Sequence, residues 1–133
     1  MSTAFFSEPV LTELDYVRLS ALVRQHPSAD LTATLDEAEV VPTRLVPQTV
    51  ATMYSRLRVR DDITGQERVL TICYPQDTDP DRGYVSVASP VGARLLGRSA
   101  GSTVSWTGPD GRARSMRVEA LLFQPESSGS QQA

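Results

Sequence analysis

The side chains best suited to covalent chemistry are a single histidine and a single cysteine. His26 stands in a polar turn, and no Ser, Cys or Asp is paired with it by the sequence, so a hydrolytic triad has no support. Cys73 lies inside an apolar stretch typical of a β-strand, which indicates a packed side chain and not a nucleophile. One cysteine forms no internal disulfide, and the chain lacks the Cys and His of a structural zinc site.

Carboxylates offer a second chemistry, because oxygen ligands hold Mg²⁺ and a bound ion activates water. Asp30 follows the turn at His26, and the residues three and four positions further on are Ala33 and Thr34. No second carboxylate therefore shares its helical face at the turn. The simplest interpretation of Asp30 is an acid at a helix N-terminus, where the helix dipole favours negative charge.

Two charged clusters each have two interpretations. The acidic cluster is Asp36, Glu37 and Glu39, and the basic cluster is Arg56, Arg58 and Arg60. Each is explained either as a solvated face or as a surface that steers docking onto a partner of opposite charge. Three Arg without interleaved aromatic residues make a weak nucleic-acid platform, so a protein partner is the better alternative.

The overall charge supports this preference. The 133 residues carry a net charge of −3, too little positive charge to grip a nucleic-acid backbone unaided. The charge is divided unevenly: residues 1–41 hold seven acids and two Arg, whereas residues 42–133 hold nine acids and eleven Arg. No stretch resembles a signal peptide or approaches the roughly 20 apolar residues of a membrane span, so we expect a cytoplasmic protein.

The elements that must position these residues begin with two helices. Residues 11–25 contain good helix formers, with Thr12 as a cap, and two partial apolar stripes predict contacts on two sides. The stripes are Leu11, Leu14, Val17 and Ala21, and Tyr16, Leu19 and Val23. Pro27 ends this helix, and a second helix is predicted from Asp30 to Val41. The pair forms an antiparallel helical hairpin, a short coiled coil.

From residue 50 onward the apolar pattern changes to the period of two that is typical of strands. Strands are predicted over 55–61, 67–75, 84–89, 102–106 and 113–123, with a short helix after Ser89 and Pro90 that Gly97 closes. The fold class is therefore α+β, an antiparallel sheet covered by one helix. We expect an arm and hairpin over 1–46, a sheet domain over 47–126 and a disordered tail over 127–133.

The run VSVASPVGARLLGRSAGSTVSWTGPDGRARSMRVEAL, residues 85–121, resembles the C-terminal domain of the bacterial Gre transcript-cleavage factors. The shared pattern is a strand, Ser-Pro, a short helix ending in Leu-Leu-Gly, and a strand hairpin. The matching residues are Ser89, Pro90, Ala93, Leu95, Leu96, Gly97, Gly101 and Gly111. Ser102 departs from it, since a carboxylate is common there. With LTELDYVRL, TMYSRLRVRD, FQPE and a short hairpin, the chain is most similar to the related regulators of nucleoside diphosphate kinase.

The resemblance implies an FKBP-like sheet domain that docks on RNA polymerase near the rim of the secondary channel. It implies a hairpin tip that faces the polymerase, formed here by His26, Pro27, Ser28 and Asp30. A monomeric, non-enzymatic regulator follows, one that competes with the cleavage factors and needs no cofactor or metal.

Two alternatives come from the same resemblance. A transcript-cleavage factor presents grouped carboxylates at the hairpin tip, whereas Asp30 is alone. A prolyl isomerase of the FKBP type uses a pocket of several aromatic residues, and the sheet domain offers mainly Trp106 and Phe123. The alternation of Trp106 with Val104 predicts that the Trp106 side chain packs in the core.

Overall fold

The computed structural model describes residues 8–127. Helix α1 spans Glu13–Gln25 and helix α2 spans Ala29–Glu37. Thr12 caps α1 by accepting a hydrogen bond from the Asp15 amide at 3.0 Å, as predicted, and the break at residues 26–28 separates the helices. No helix in the described part of the chain has the length and apolar character that a bilayer crossing demands.

The ends of the hairpin differ from the prediction. Strand β1, Val10–Thr12, pairs in parallel with strand β2, Glu39–Val41. Residues 11 and 12 are therefore not helical, and the predicted extension of the second helix to Val41 is wrong. The local pattern of apolar residues cannot reveal this pairing, because it joins segments about 29 residues apart in the sequence.

The larger sheet has five strands in the order β5-β4-β3-β7-β6. Their bounds are Arg56–Asp61 for β3, Glu67–Cys73 for β4, Tyr84–Ser86 for β5, Thr103–Thr107 for β6 and Ala113–Phe123 for β7. The prediction of β7 is confirmed to the residue. The strand beginning at Tyr84 is shorter than predicted, and it pairs with β4 in parallel. The sheet is therefore mixed, and the expectation of a wholly antiparallel sheet is wrong.

Helix α3, Pro90–Leu95, covers the apolar face of this sheet and confirms the predicted helix. Ser89 caps it by accepting from the Gly92 amide at 3.1 Å. Gly92 is required here, because a Cβ on it would overlap the carbonyl oxygen of Ser86. Gly97 follows with φ +82°, and its backbone lies against Pro9 and Val10.

One apolar core joins the hairpin to the sheet. Leu19 of α1 and Leu31 and Leu35 of α2 belong to the same buried cluster as Leu57, Ile72 and Val118 of the sheet. The predicted stripe Tyr16, Leu19 and Val23 faces this core. Leu14 and Val17 of the other stripe are exposed, so α1 packs on one side only within the described residues.

The described residues end in a short turn. Pro125–Ser127 forms one turn of 3₁₀-helix, which includes the first residue of the predicted disordered tail over 127–133. Residues 128–133 of that tail, like residues 1–7 of the predicted arm, lie outside the described residues.

Candidate interaction surfaces

The hairpin tip lies against the sheet domain. Ser28 caps α2 by accepting from the Leu31 amide at 3.2 Å, and its hydroxyl also donates to the carbonyl oxygen of Ala88 at 2.9 Å. The cap is local, whereas the contact with Ala88 depends on tertiary structure. The tip is therefore anchored to the segment that precedes α3.

Helix α2 is also tied to α3 along its length. The Thr34 hydroxyl, which is buried, donates to the carbonyl oxygen of Ala93 at 2.8 Å. Asp30 forms a partly exposed ion pair with Arg94 at 3.4 Å. Asp30 thus has a structural partner in addition to its favourable place in the first turn of α2.

A groove of about 900 Å³ separates the tip from the strand end at Tyr74. The four predicted tip residues, His26, Pro27, Ser28 and Asp30, all line it, together with Arg18 and Tyr74. Hence the structure brings the predicted tip residues together. Residues 8–127 contain no group of three or more His, Cys, Asp or Glu side chains able to hold a metal ion.

The base of the hairpin contains a buried carboxylate that sequence reasoning missed. Asp15 is 5% exposed, and its Oδ2 accepts a hydrogen bond from the Met53 amide at 3.2 Å. Burial raises the pKa of the Asp15 carboxyl above its ordinary value; the hydrogen bond from Met53 lowers it, and the nearby charge of Glu126 raises it. Asp15 therefore links α1 to the sheet domain.

The C-terminal turn closes the same junction. Glu126 Oε1 accepts a hydrogen bond from the Thr52 hydroxyl at 2.7 Å. Gln124, which is buried, donates from Nε2 to the carbonyl oxygens of Pro47 at 2.8 Å and Val50 at 2.7 Å. The three motifs LTELDYVRL, TMYSRLRVRD and FQPE, far apart in the sequence, thus meet at the hairpin base. Their co-occurrence was the signal that could have located this junction.

Tyr54 holds the backbone next to this junction. It has φ +64°, a left-handed conformation that is costly for a residue with a side chain. Its amide donates to the Ile72 carbonyl oxygen at 2.7 Å, its hydroxyl donates to Asp77, and its ring lies 5.8 Å from that of Tyr74. Burial and the bond to Asp77 raise the pKa of Tyr54 to about 12.

The basic cluster on β3 is partly neutralised by neighbouring strands. Glu119 of β7 pairs with Arg58 at 3.5 Å and Arg60 at 2.7 Å, and Glu67 of β4 pairs with Arg60 at 2.5 Å. These bonds lower the pKa of Glu119, with the Arg60 hydrogen bond as the main cause. Arg56 instead lies over the ring of Phe123, 5.8 Å from its centre, so Arg56 is the member of the cluster without a carboxylate partner in residues 8–127.

The remaining predicted residues are distributed over different elements. Asp36 and Glu37 are exposed on α2, whereas Glu39 is in β2, so the acidic cluster does not lie on one helix. Trp106 packs against the core, as predicted, and Phe123 lies on the exposed side under Arg56. The two aromatic residues proposed for an isomerase pocket are therefore not gathered.

Comparison with known proteins identifies the family of this architecture. Residues 46–122 match the family model "Transcription elongation factor, GreA/GreB, C-term". The chain belongs to the GreA/GreB family. It is 36% identical over 126 residues to the regulator of nucleoside diphosphate kinase of Escherichia coli K12, which covers 90% of this chain and 93% of that relative.

A solved relative supports the GreA/GreB-like fold. The prokaryotic transcription elongation factor GreA/GreB from Nitrosomonas europaea matches with a TM-score of 0.72 and 33% identity, covering 89% of this chain and 100% of that one. GreA from Helicobacter hepaticus is 30% identical over 82 residues, which are 62% of this chain and 50% of that factor. The predicted similarity to regulators of nucleoside diphosphate kinase is confirmed, and the chain is a transcription-related regulator of the GreA/GreB family.

Proposed function

We propose that the protein is a non-enzymatic regulator that binds RNA polymerase near the secondary channel and competes there with transcript-cleavage factors. The observation that carries the proposal is the combination of a GreA/GreB-type sheet domain with a short hairpin whose tip presents Asp30 alone. Asp30 is engaged by Arg94. Cleavage chemistry needs several oxygen ligands around a metal ion, so this tip is suited to occupying a site and not to activating water.

Two surfaces of opposite charge serve the binding. On the hairpin, Asp36 and Glu37 are exposed, and their negative charge complements a basic surface of the polymerase channel. On the sheet domain, Arg56 lies over the ring of Phe123 and has no carboxylate partner within residues 8–127, and an Arg stacked on an aromatic ring is a preferred interface residue. Arg58 and Arg60 contribute less, because Glu119 and Glu67 already bind them.

The architecture proposed with this function has two parts, an N-terminal arm and helical hairpin over residues 1–46, the hairpin with short coiled-coil contacts, and an FKBP-like domain over 47–126. The shared core of Leu19, Leu31 and Leu35 with the sheet supports a hairpin that moves with its domain. The protein acts as a monomer on the polymerase in the cytoplasm. The name of the E. coli relative, regulator of nucleoside diphosphate kinase, supports an effect on the levels of that kinase.

A competition experiment tests the proposal. Core RNA polymerase is bound to a fluorescently labelled GreA, and the unlabelled protein is titrated at several salt concentrations. We expect displacement that weakens as salt rises, because exposed charges are screened. Stalled elongation complexes measure cleavage in parallel, and we expect no shortened RNA. A protein that neither binds nor displaces GreA, or that stimulates cleavage, would contradict the proposal.

Charge-reversal variants then assign the surfaces. Arg56→Glu and the pair Asp36→Arg with Glu37→Arg should each weaken displacement. Arg112→Glu is the matched control, because its side chain is 84% exposed in the turn between β6 and β7. If Arg56→Glu and the Arg112→Glu control bind with equal affinity, the sheet face around Arg56 is not part of the interface. That result would not contradict binding to the polymerase through the hairpin.

A further inference from the structure

The solvent face of α1 carries apolar side chains where an isolated surface helix carries polar ones. Leu14 is 42% exposed and Val17 is 65% exposed. Val17 points away from Leu19, which is fully buried, because two residues along a helix correspond to a rotation of about 200°. Within residues 8–127 these exposed side chains leave an unpartnered apolar stripe on the outside of the hairpin.

The stripe has the spacing of a helix–helix seam. Leu14, Val17, Ala21 and Arg24 follow one another at intervals of three, four and three residues, which are the a and d positions of a heptad. We call Leu14, Val17 and Ala21 the α1 stripe. Val17 and the half-buried Ala21 are small enough to let a second helix approach closely.

The two ends of the stripe carry opposite charges. Glu13 stands in the first turn of α1 and Arg24 in the last, about 16 Å apart at 1.5 Å per residue. Within residues 8–127 neither side chain forms an ion pair or a hydrogen bond. A second helix that presents the reverse order of charges would satisfy both ends.

We propose that α1 is a self-association surface that binds α1 of a second copy in the antiparallel direction. A two-fold axis through the middle of the stripe places Val17 of each copy opposite Ala21 of the other. The same axis brings Glu13 of each copy next to Arg24 of the other, so both unpaired charges are satisfied twice. The helix dipoles then run in opposite directions, which is favourable.

This dimer is weak and depends on concentration, because a single helix face is smaller than a standard protein interface. The proposal goes beyond the proposed function, and it is measured without polymerase. Sedimentation equilibrium of the full chain from about 1 µM to about 1 mM covers the affinities such an interface can have. We expect the average mass to rise toward twice that of the monomer.

Charge exchange across the two-fold axis is the decisive test. Glu13→Arg alone and Arg24→Glu alone should each weaken association about tenfold, because each change turns two attractive pairs into repulsive ones. The double variant Glu13→Arg with Arg24→Glu restores both pairs and should recover the dimer. Val17→Glu should give a monomer, and its circular dichroism and melting should match the wild type, since the side chain is exposed.

Asp36→Arg is the matched control, because it makes the same change of charge on an exposed position of α2. It should leave self-association unchanged. The proposal would be overturned if the wild-type chain stays monomeric up to about 1 mM. It would also be overturned if the double variant fails to dimerise, or if Asp36→Arg weakens the dimer as much as Glu13→Arg does. Dimerisation that appears only after removal of residues 1–7 would also overturn it, by assigning the stripe to the chain's own N-terminal segment.

Discussion

Replacement of Asp15 tests whether the buried carboxylate holds the hairpin on the sheet domain. In Asp15→Ala the amide of Met53 loses its acceptor while remaining buried, since Met53 is 5% exposed. An unpaired buried donor costs about 1 to 3 kcal/mol of the free energy of unfolding. We therefore expect a loss of that size, or roughly 3 to 5 °C of melting temperature per kcal/mol for a chain of this length.

Asp15→Asn separates the hydrogen bond from the charge. The amide oxygen of Asn can still accept from Met53, and the neutral side chain is no longer repelled by Glu126, whose charge raises the Asp15 pKa. At neutral pH we expect this variant to be at least as stable as the wild type. Both variants change the same buried side chain, but only Asp15→Ala removes the acceptor for the Met53 amide. A difference in stability between them therefore reports the hydrogen bond and not general damage to the core.

The pH dependence has a definite sign. Because burial raises the folded-state pKa of Asp15, this group favours folding below its unfolded pKa, and that contribution is lost as the pH rises through the folded value. Asp61 and Glu119, whose pKa values are lowered, act in the opposite sense. The contribution of Asp15 is therefore isolated by subtracting the free energy of unfolding of Asp15→Asn from that of the wild type at each pH. Urea unfolding at pH 3 to 8 should show this difference falling with pH. A flat or rising difference, or an Asp15→Ala variant as stable as the wild type, would show that the buried Asp15 carboxylate does not hold α1 on the sheet domain.

Four further substitutions, one of them a control, test other contacts by thermal or urea unfolding. Gly92→Ala should cost at least about 3 kcal/mol of the free energy of unfolding, because the added Cβ overlaps a backbone oxygen that cannot move away freely. Gly111 has φ +77° and open space around it, so the control Gly111→Ala should cost only about 1 to 2 kcal/mol. Equal losses would contradict a steric overlap at Gly92. Ser28→Ala removes a cap and the Ala88 contact and should cost about 1 to 2 kcal/mol, and an unchanged stability would show that the tip is not anchored. Thr34→Val should cost about 1 kcal/mol through loss of the bond to Ala93; a stabilised variant would contradict this.

The sequence predicts the elements whose causes are local. Strand β7 is defined by alternating side chains between two turn signals, and α3 by the cap at Ser89 and the stop at Gly97, so both agree with the structure. Elements fixed by distant partners are different. Residues 39–41 continue a helical pattern, but they leave the helix because β1 offers them backbone hydrogen bonds.

The candidate site shows the same division. The charges at Asp36 and Arg56 could be located from the sequence, since each stands on a polar face of a recognisable element. The engagement of Arg60 by Glu67 and Glu119 could not, because it depends on strand order and register. Asp15 was missed because a carboxylate in the first turn of a helix is normally solvated; burial by Met53 and Glu126 becomes visible only when three distant segments meet.

The parallel pair β1 and β2 has a consequence for the reach of the hairpin. Because Val10 pairs with Glu39 and Thr12 with Val41, the chain leaves and re-enters the sheet domain at one fixed point. Turns of helix added in equal numbers before His26 and after Ser28 would lengthen the arm by about 5.4 Å per turn and would carry Ser28 away from the Ala88 carbonyl oxygen. The length of the hairpin is therefore matched to its domain at both ends, by the β1–β2 pair at the base and by Ser28 at the tip.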